Sequence, residues 1–183
     1  MITDRIILGI DPGTTIMGYG IIQIKEKNVQ MLSTGIIELK KLRDPYLKLK
    51  KIFERTVSLI NEYHPDELAI ESQFYGKNVQ SMLKLGRAQG VAIAAALSRS
   101  VPIYEYAPRK IKMAITGKGS ASKEQVAYFL KNLLKLKGLP DDLDATDGLA
   151  VAVCHYYQNN IPDPSKKYKD WKDFIKQNPD KIK

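Results

Sequence analysis

The chain has 183 residues, of which 44% are hydrophobic and 27% charged, and its formal net charge is +9. These values suit one globular domain with a real core and exclude a disulfide-stapled class, because the single cysteine, Cys154, has no partner within the chain. With no basic-then-apolar leader and no apolar run near the ~18 residues of a membrane span, a cytoplasmic protein with no membrane partner is expected.

The first element is a buried strand over residues 5–10. It ends on Asp11, followed by a Pro-Gly turn and two threonines in "GIDPGTT". "MGYGIIQIK" and "VQMLSTGIIEL" read as two further strands joined through residues 26–28, so the three suggest an antiparallel meander. Asp44 and Pro45 supply a cap and a first-turn proline for a helix whose apolar face is Tyr46, Leu49, Phe53, Val57 and Ile60. "ELAIE" at 67–71 is a short strand that again ends on a carboxylate, Glu71. A long helix over 78–99 carries Gly86, Gly90 and three consecutive alanines, small enough for close packing on the sheet or on a second subunit. "VPIYEY" at 101–106 is another strand, and Pro108 suits the first turn of the helix after it. "TGKGSAS" at 116–122 is a loop between basic helices. A last helix is expected from about Asp141 to Tyr157, with a Lys-rich tail beyond. Strands first, then strands alternating with helices, predict an α/β domain with a mixed sheet over 1–160 and a basic, mobile tail over 161–183.

The charge is uneven. Residues 107–137 hold eight cations against Glu124 alone, +7, and residues 166–183 add +4, so everything else sums to −2. A basic zone of this kind suits a polyanion, although a solvated lysine surface gives the same count. Ligands of open α/β sheets gather just outside strand ends, where Asp11 and Glu71 lie. Singly, each also reads as turn or surface chemistry. In "DDLDATDGLAVAV", Asp144 and Asp147 are three apart and share a helical face. Capping explains Asp141, Asp142 and tolerably Asp144; it does not explain Asp147, which shares its face with Leu143, Ala150 and Cys154. Four carboxylates with oxygen donors only favour Mg²⁺, with Mn²⁺ as a substitute, over zinc.

"ILGIDPGTTIMGYGII", "LAIESQFYGKNVQSMLKLGRAQGVAIAAA", "GKGSASKEQV" and "LDATDGLAVAVCH" resemble, in order and spacing, the RuvC family of bacterial Holliday-junction resolvases. The likeness runs from about residue 5 to 158. It implies an RNase H-like fold, a mixed five-stranded sheet flanked by helices, and a cytoplasmic, nucleoid-associated homodimer paired through helix 78–99. It also implies a crossover junction endodeoxyribonuclease that cuts four-way DNA symmetrically with two Mg²⁺ per active site. Such a cut leaves 5′-phosphate and 3′-hydroxyl nicks. The RuvA/RuvB branch-migration complex is the implied partner. The family's acidic tetrad falls on Asp11, Glu71, Asp144 and Asp147, its junction-centre aromatic on Phe74, and its DNA-contacting lysines on Lys112 and Lys123. Lys77, Arg109 and Lys118 complete the expected DNA-binding set. Pro108 and the rearranged basic pattern around it depart from the family, and the tail after Pro162 matches nothing in it.

Three rival readings set the contrast. "DPGTT" also resembles the phosphate loop of sugar kinases, actin and heat-shock ATPases, but those need a second domain and a second phosphate loop. YqgF-like nucleases share the early aspartate strand yet lack the Phe74 and "GKGSASKEQV" blocks. A DNA binder without catalysis has no use for four carboxylates beside a polyanion.

Overall fold

The computed structural model describes residues 4–26, 28–73, 78–136, 138 and 143–160. Five strands form one mixed sheet: β1 (Arg5–Asp11), β2 (Ile16–Lys25), β3 (Asn28–Glu38), β4 (Glu67–Glu71) and β5 (Ile103–Tyr106), in the order β3-β2-β1-β4-β5. The first three pair antiparallel as the meander requires, with a bulge opposite Ile21 and Ile22. β4 and β5 add in parallel, each reached by a helical crossover. The expected mixed five-stranded sheet is therefore present.

Helices α1 (Pro45–Tyr63) and α2 (Val79–Leu97) cover one face. The other face carries α3 (Pro108–Thr116), α4 (Lys123–Leu133) and α5 (Leu143–Asn160). Strand alternation divides the core accordingly. Leu8, Ile10, Leu68 and Ile70 pack toward α1 and α2, while Ile7 and Ala69 pack toward α5. Burying sheet residues on both faces explains why β1 and β4 read as continuous apolar runs rather than alternating ones.

Local signals mark the helix ends. Asp44 accepts from the Tyr46 N–H at 2.7 Å and Pro45 follows at the first helical position. Ser122 and Gln125 form a reciprocal capping box at the start of α4, an arrangement in which losing the cap costs about 1 kcal/mol. Pro108 does open α3. The predicted inward face of α1 requires correction. Tyr46 is 73% exposed and Phe53 is 39% exposed; the buried stripe is Ile52, Thr56, Leu59 and Ile60. Packing against α2 selects this rotated stripe, and several large residues are left at the surface.

A buried polar chain fixes the far end of α5. Glu67 pairs with Arg5 at 3.4 Å and receives His155 Nε2 at 2.9 Å. An ionised Glu67 can only accept, so Nε2 carries the proton and Nδ1 accepts from the Tyr106 hydroxyl at 2.6 Å. Burial lowers the His155 pKa, with Glu67 opposing, and the ring is fully enclosed.

Candidate active site

Asp11 and Glu71 come side by side through strand pairing. Ile10 is opposite Ile70 in the parallel β1–β4 ladder, so the next residue of each strand is a carboxylate at the sheet's end. Both follow the alternation that sends Gly9 and Ala69 toward α5.

Asp144 and Asp147 reach the same place because α5 lies unusually close to the sheet. A Cβ on Gly18 would stand 2.0 Å from the Asp144 carbonyl oxygen, and one on Gly148 would stand 2.4 Å from the Tyr19 Cα. Gly9 and Gly20 meet α5 in the same way. Glycines on both surfaces let backbone touch backbone. Thr34 Oγ1 then donates to the Ala145 carbonyl at 2.7 Å and pins the first turn of α5 over β2 and β3. The alternate Gly18 and Gly20 on one face of β2 are the signal of this packing in the sequence, one that no motif carries.

The four carboxylates act on one another. Burial, then repulsion from Asp147 and Asp144, pushes Asp11 up to about 7, with Lys123 opposing. Burial followed by repulsion from Asp11 and Asp147 pushes Glu71 up to about 8, against Lys112 and Lys123. Burial also raises Asp147, offset by its bond to Lys123. Lys123 Nζ spans Asp144 Oδ1 at 2.9 Å and Asp147 Oδ2 at 2.5 Å. Burial alone would lower its pKa, but the two carboxylates hold it above the ordinary lysine range, and it stays charged.

These donors suit a hard divalent cation: all are carboxylate oxygens, and the group carries more negative charge than Lys112 and Lys123 balance. Among the described residues no three such side chains stand close enough together to hold a metal ion as they are placed. Lys123 instead serves as the internal counter-cation of Asp144 and Asp147.

The other expected residues are placed as follows. Lys112 on α3 acts on both Glu71 and Asp147. Arg109 is exposed, with its stem across Gly119, and Lys118 is exposed on the α3–α4 loop. Phe74 and Lys77, Asp141 and Asp142, and the tail over 161–183 lie outside the described residues. No helix among the described residues is long and apolar enough to cross a membrane.

The model of the crossover junction endodeoxyribonuclease RuvC family matches residues 7–155. The chain belongs to the RuvC family. Its relative in Christiangramia forsetii is 61% identical over 99% of this chain and 94% of that one. That in Bacteroides fragilis is 59% identical over 100% and 98%. Both are crossover junction endodeoxyribonucleases RuvC. Among solved structures, Thermus thermophilus RuvC in complex with a Holliday junction substrate superposes with a TM-score of 0.80, at 29% identity over 86% of this chain and 96% of that one. Membership in RuvC makes the expected RNase H-like fold and nuclease class those of this chain, and with them the use of a divalent metal.

Proposed function

We infer that the chain resolves four-way DNA junctions by hydrolysing one phosphodiester bond in each of two strands. The observation that carries this reading is that Asp11, Glu71, Asp144 and Asp147 lie at one end of the sheet, near enough to raise one another's proton affinity, beside Lys112 and Lys123, in a RuvC chain. In this reading the four carboxylates are the catalytic and metal-holding residues, for two Mg²⁺ ions with Mn²⁺ as substitute. Bound metal supplies an activated water and charge stabilisation for the departing 3′ oxygen. The chain's own residues do the rest. Asp11 and Glu71, raised to about 7 and 8 without a cation, must lose their protons before they can act as ligands. Lys123 holds Asp144 and Asp147 in place until substrate arrives, then turns its ammonium to a phosphate oxygen, with Lys112 as its neighbour on the strand. Phe74 is assigned to the junction centre by family resemblance, and Lys77, Arg109 and Lys118 are taken as further contacts to the DNA backbone.

Incubating a synthetic four-way junction with the protein and Mg²⁺ tests the reading. Paired nicks that ligase reseals, carrying 5′-phosphate and 3′-hydroxyl ends, are expected. Binding without nicking in either Mg²⁺ or Mn²⁺ would sink it.

Symmetric cutting needs two copies. Along α2, Leu83, Gly86, Gly90, Ala94 and Leu97 recur at helical spacing and are all exposed. Leu83 and Leu97 are 54% and 58% exposed, and a Cβ at either glycine meets nothing within 4 Å. An apolar stripe with small residues at its centre suits a second copy of α2. Leu83→Glu should therefore convert a dimer to a monomer in analytical ultracentrifugation while leaving the melting of the isolated fold nearly unchanged. A wild-type protein that sediments as one chain at micromolar concentration removes this assignment. Junctions delivered by a RuvA/RuvB complex are the proposed source of substrate in the cell; no gain in resolution when both are added would argue against it.

A further inference from the structure

The carboxylates occupy the α5 side of the β1 exit. On the other side, where Leu8 and Ile10 face α1 and α2, lies a cavity of about 390 Å³. The two share one turn: Thr14 and Thr15, which follow Asp11 around the Pro-Gly bend, line the cavity. Its charged wall comes from Arg43, Lys48, Lys84 and Arg87.

The lining holds four cations and no carboxylate. Asp44 lies beside it, but its carboxylate is engaged by the Tyr46 N–H at the cap of α1. Lys48 Nζ donates to the Thr14 carbonyl at 2.9 Å, which fixes this charge against the turn. Lys84 and Arg87 are three apart on α2 and so project side by side. Among the described residues none of the four cations forms an ion pair. Grouped like charges around a concave surface repel one another and concentrate a positive potential that an anion would relieve.

These cations fall outside the basic segment 107–137, in the part of the chain whose charge is slightly negative overall, so counting by sequence hid them. We propose that this cavity is a phosphate subsite for the DNA backbone, gripping the strand on the side of β1 opposite Lys112 and Lys123. The strand would cross the sheet's end over Asp11, held by Lys84 and Arg87 before the carboxylates and by Lys112 and Lys123 beyond them. The inference rests on the proposed junction-cleaving function.

Binding of a fluorescent four-way junction tests it, with the full-length protein in an Asp11→Asn background and Mg²⁺, across a salt series. Cleavage persisting in that background would count against the functional reading rather than this subsite. Adding Lys84→Gln and Arg87→Gln should lower the slope of log affinity against log salt by about 2 and weaken binding about tenfold or more. The control is Lys50→Gln with Lys51→Gln, which removes the same charge from a part of α1 outside the cavity. It should leave the slope nearly unchanged. An unaltered slope for the Lys84/Arg87 pair overturns the subsite, and so does an equal loss in the control, which would signal general attraction only.

Discussion

Asp11→Asn should remove junction nicking by about a thousandfold or more, which corresponds to roughly 4 kcal/mol of transition-state stabilisation, while junction binding persists. The same substitution should stabilise the metal-free protein. Burial and neighbouring carboxylates push Asp11 up to about 7 and Glu71 up to about 8, from ordinary values of 3.8 and 4.5. A carboxyl with a raised folded-state pKa binds its proton more tightly in the folded than in the unfolded chain. Its contribution to stability is present below the unfolded pKa and is lost as pH rises through the folded one. Metal-free wild type should therefore lose stability between about pH 4 and pH 8. Asn carries no charge to bury and also relieves Glu71, so the variant should gain about 2 kcal/mol at pH 8 in EDTA. Thermal melts with and without Mg²⁺ check both halves. A variant that melts below wild type at pH 8 in EDTA, or that nicks normally, removes Asp11 from the proposed site.

Gly148→Ala should be nearly as damaging, for a reason that involves no charge. The added methyl would stand 2.4 Å from the Tyr19 Cα, a backbone atom that cannot rotate away. Either α5 lifts from the sheet or β2 bends. Overpacking of this severity is expected to cost about 3 kcal/mol, visible as a lower denaturant midpoint. Cleavage should fall further than the folded fraction does, because lifting α5 carries Asp144 and Asp147 away from Asp11 and Glu71. Wild-type stability in this variant would show that the helix–sheet contact is looser than the structure has it.

Much of this arrangement is legible residue by residue. Asp11 and Glu71 stand out because each closes an apolar run, and a strand's period and end are local properties. The cap at Asp44 and the loop over 116–122 are equally local. The inward face of α1 is not. Tyr46 and Phe53 fit a helical period as well as Ile52 and Leu59 do, and only the position of α2 decides between the two stripes. Lys123 shows the same limit. Its place in the basic segment suggests a DNA contact, whereas its distances to Asp144 and Asp147 give it a first task inside the site. The cavity cations were invisible for a similar reason: Arg43, Lys48, Lys84 and Arg87 are scattered in sequence and assembled by two helices.

What the sequence determined by itself is the inventory and its family: four carboxylates, their strand and helix settings, and blocks specific enough to identify a RuvC chain. Hydrophobic period, capping and motif spacing act over a few residues, so they survive in a one-dimensional record. The tertiary structure decided which of those residues meet. Strand order puts Asp11 beside Glu71, facing glycines let α5 settle close enough to bring Asp144 and Asp147 to them, and Lys123 closes the group. Burial and mutual repulsion then raise the Asp11 and Glu71 pKa values, an effect of distance and desolvation that exists only once the chain has folded.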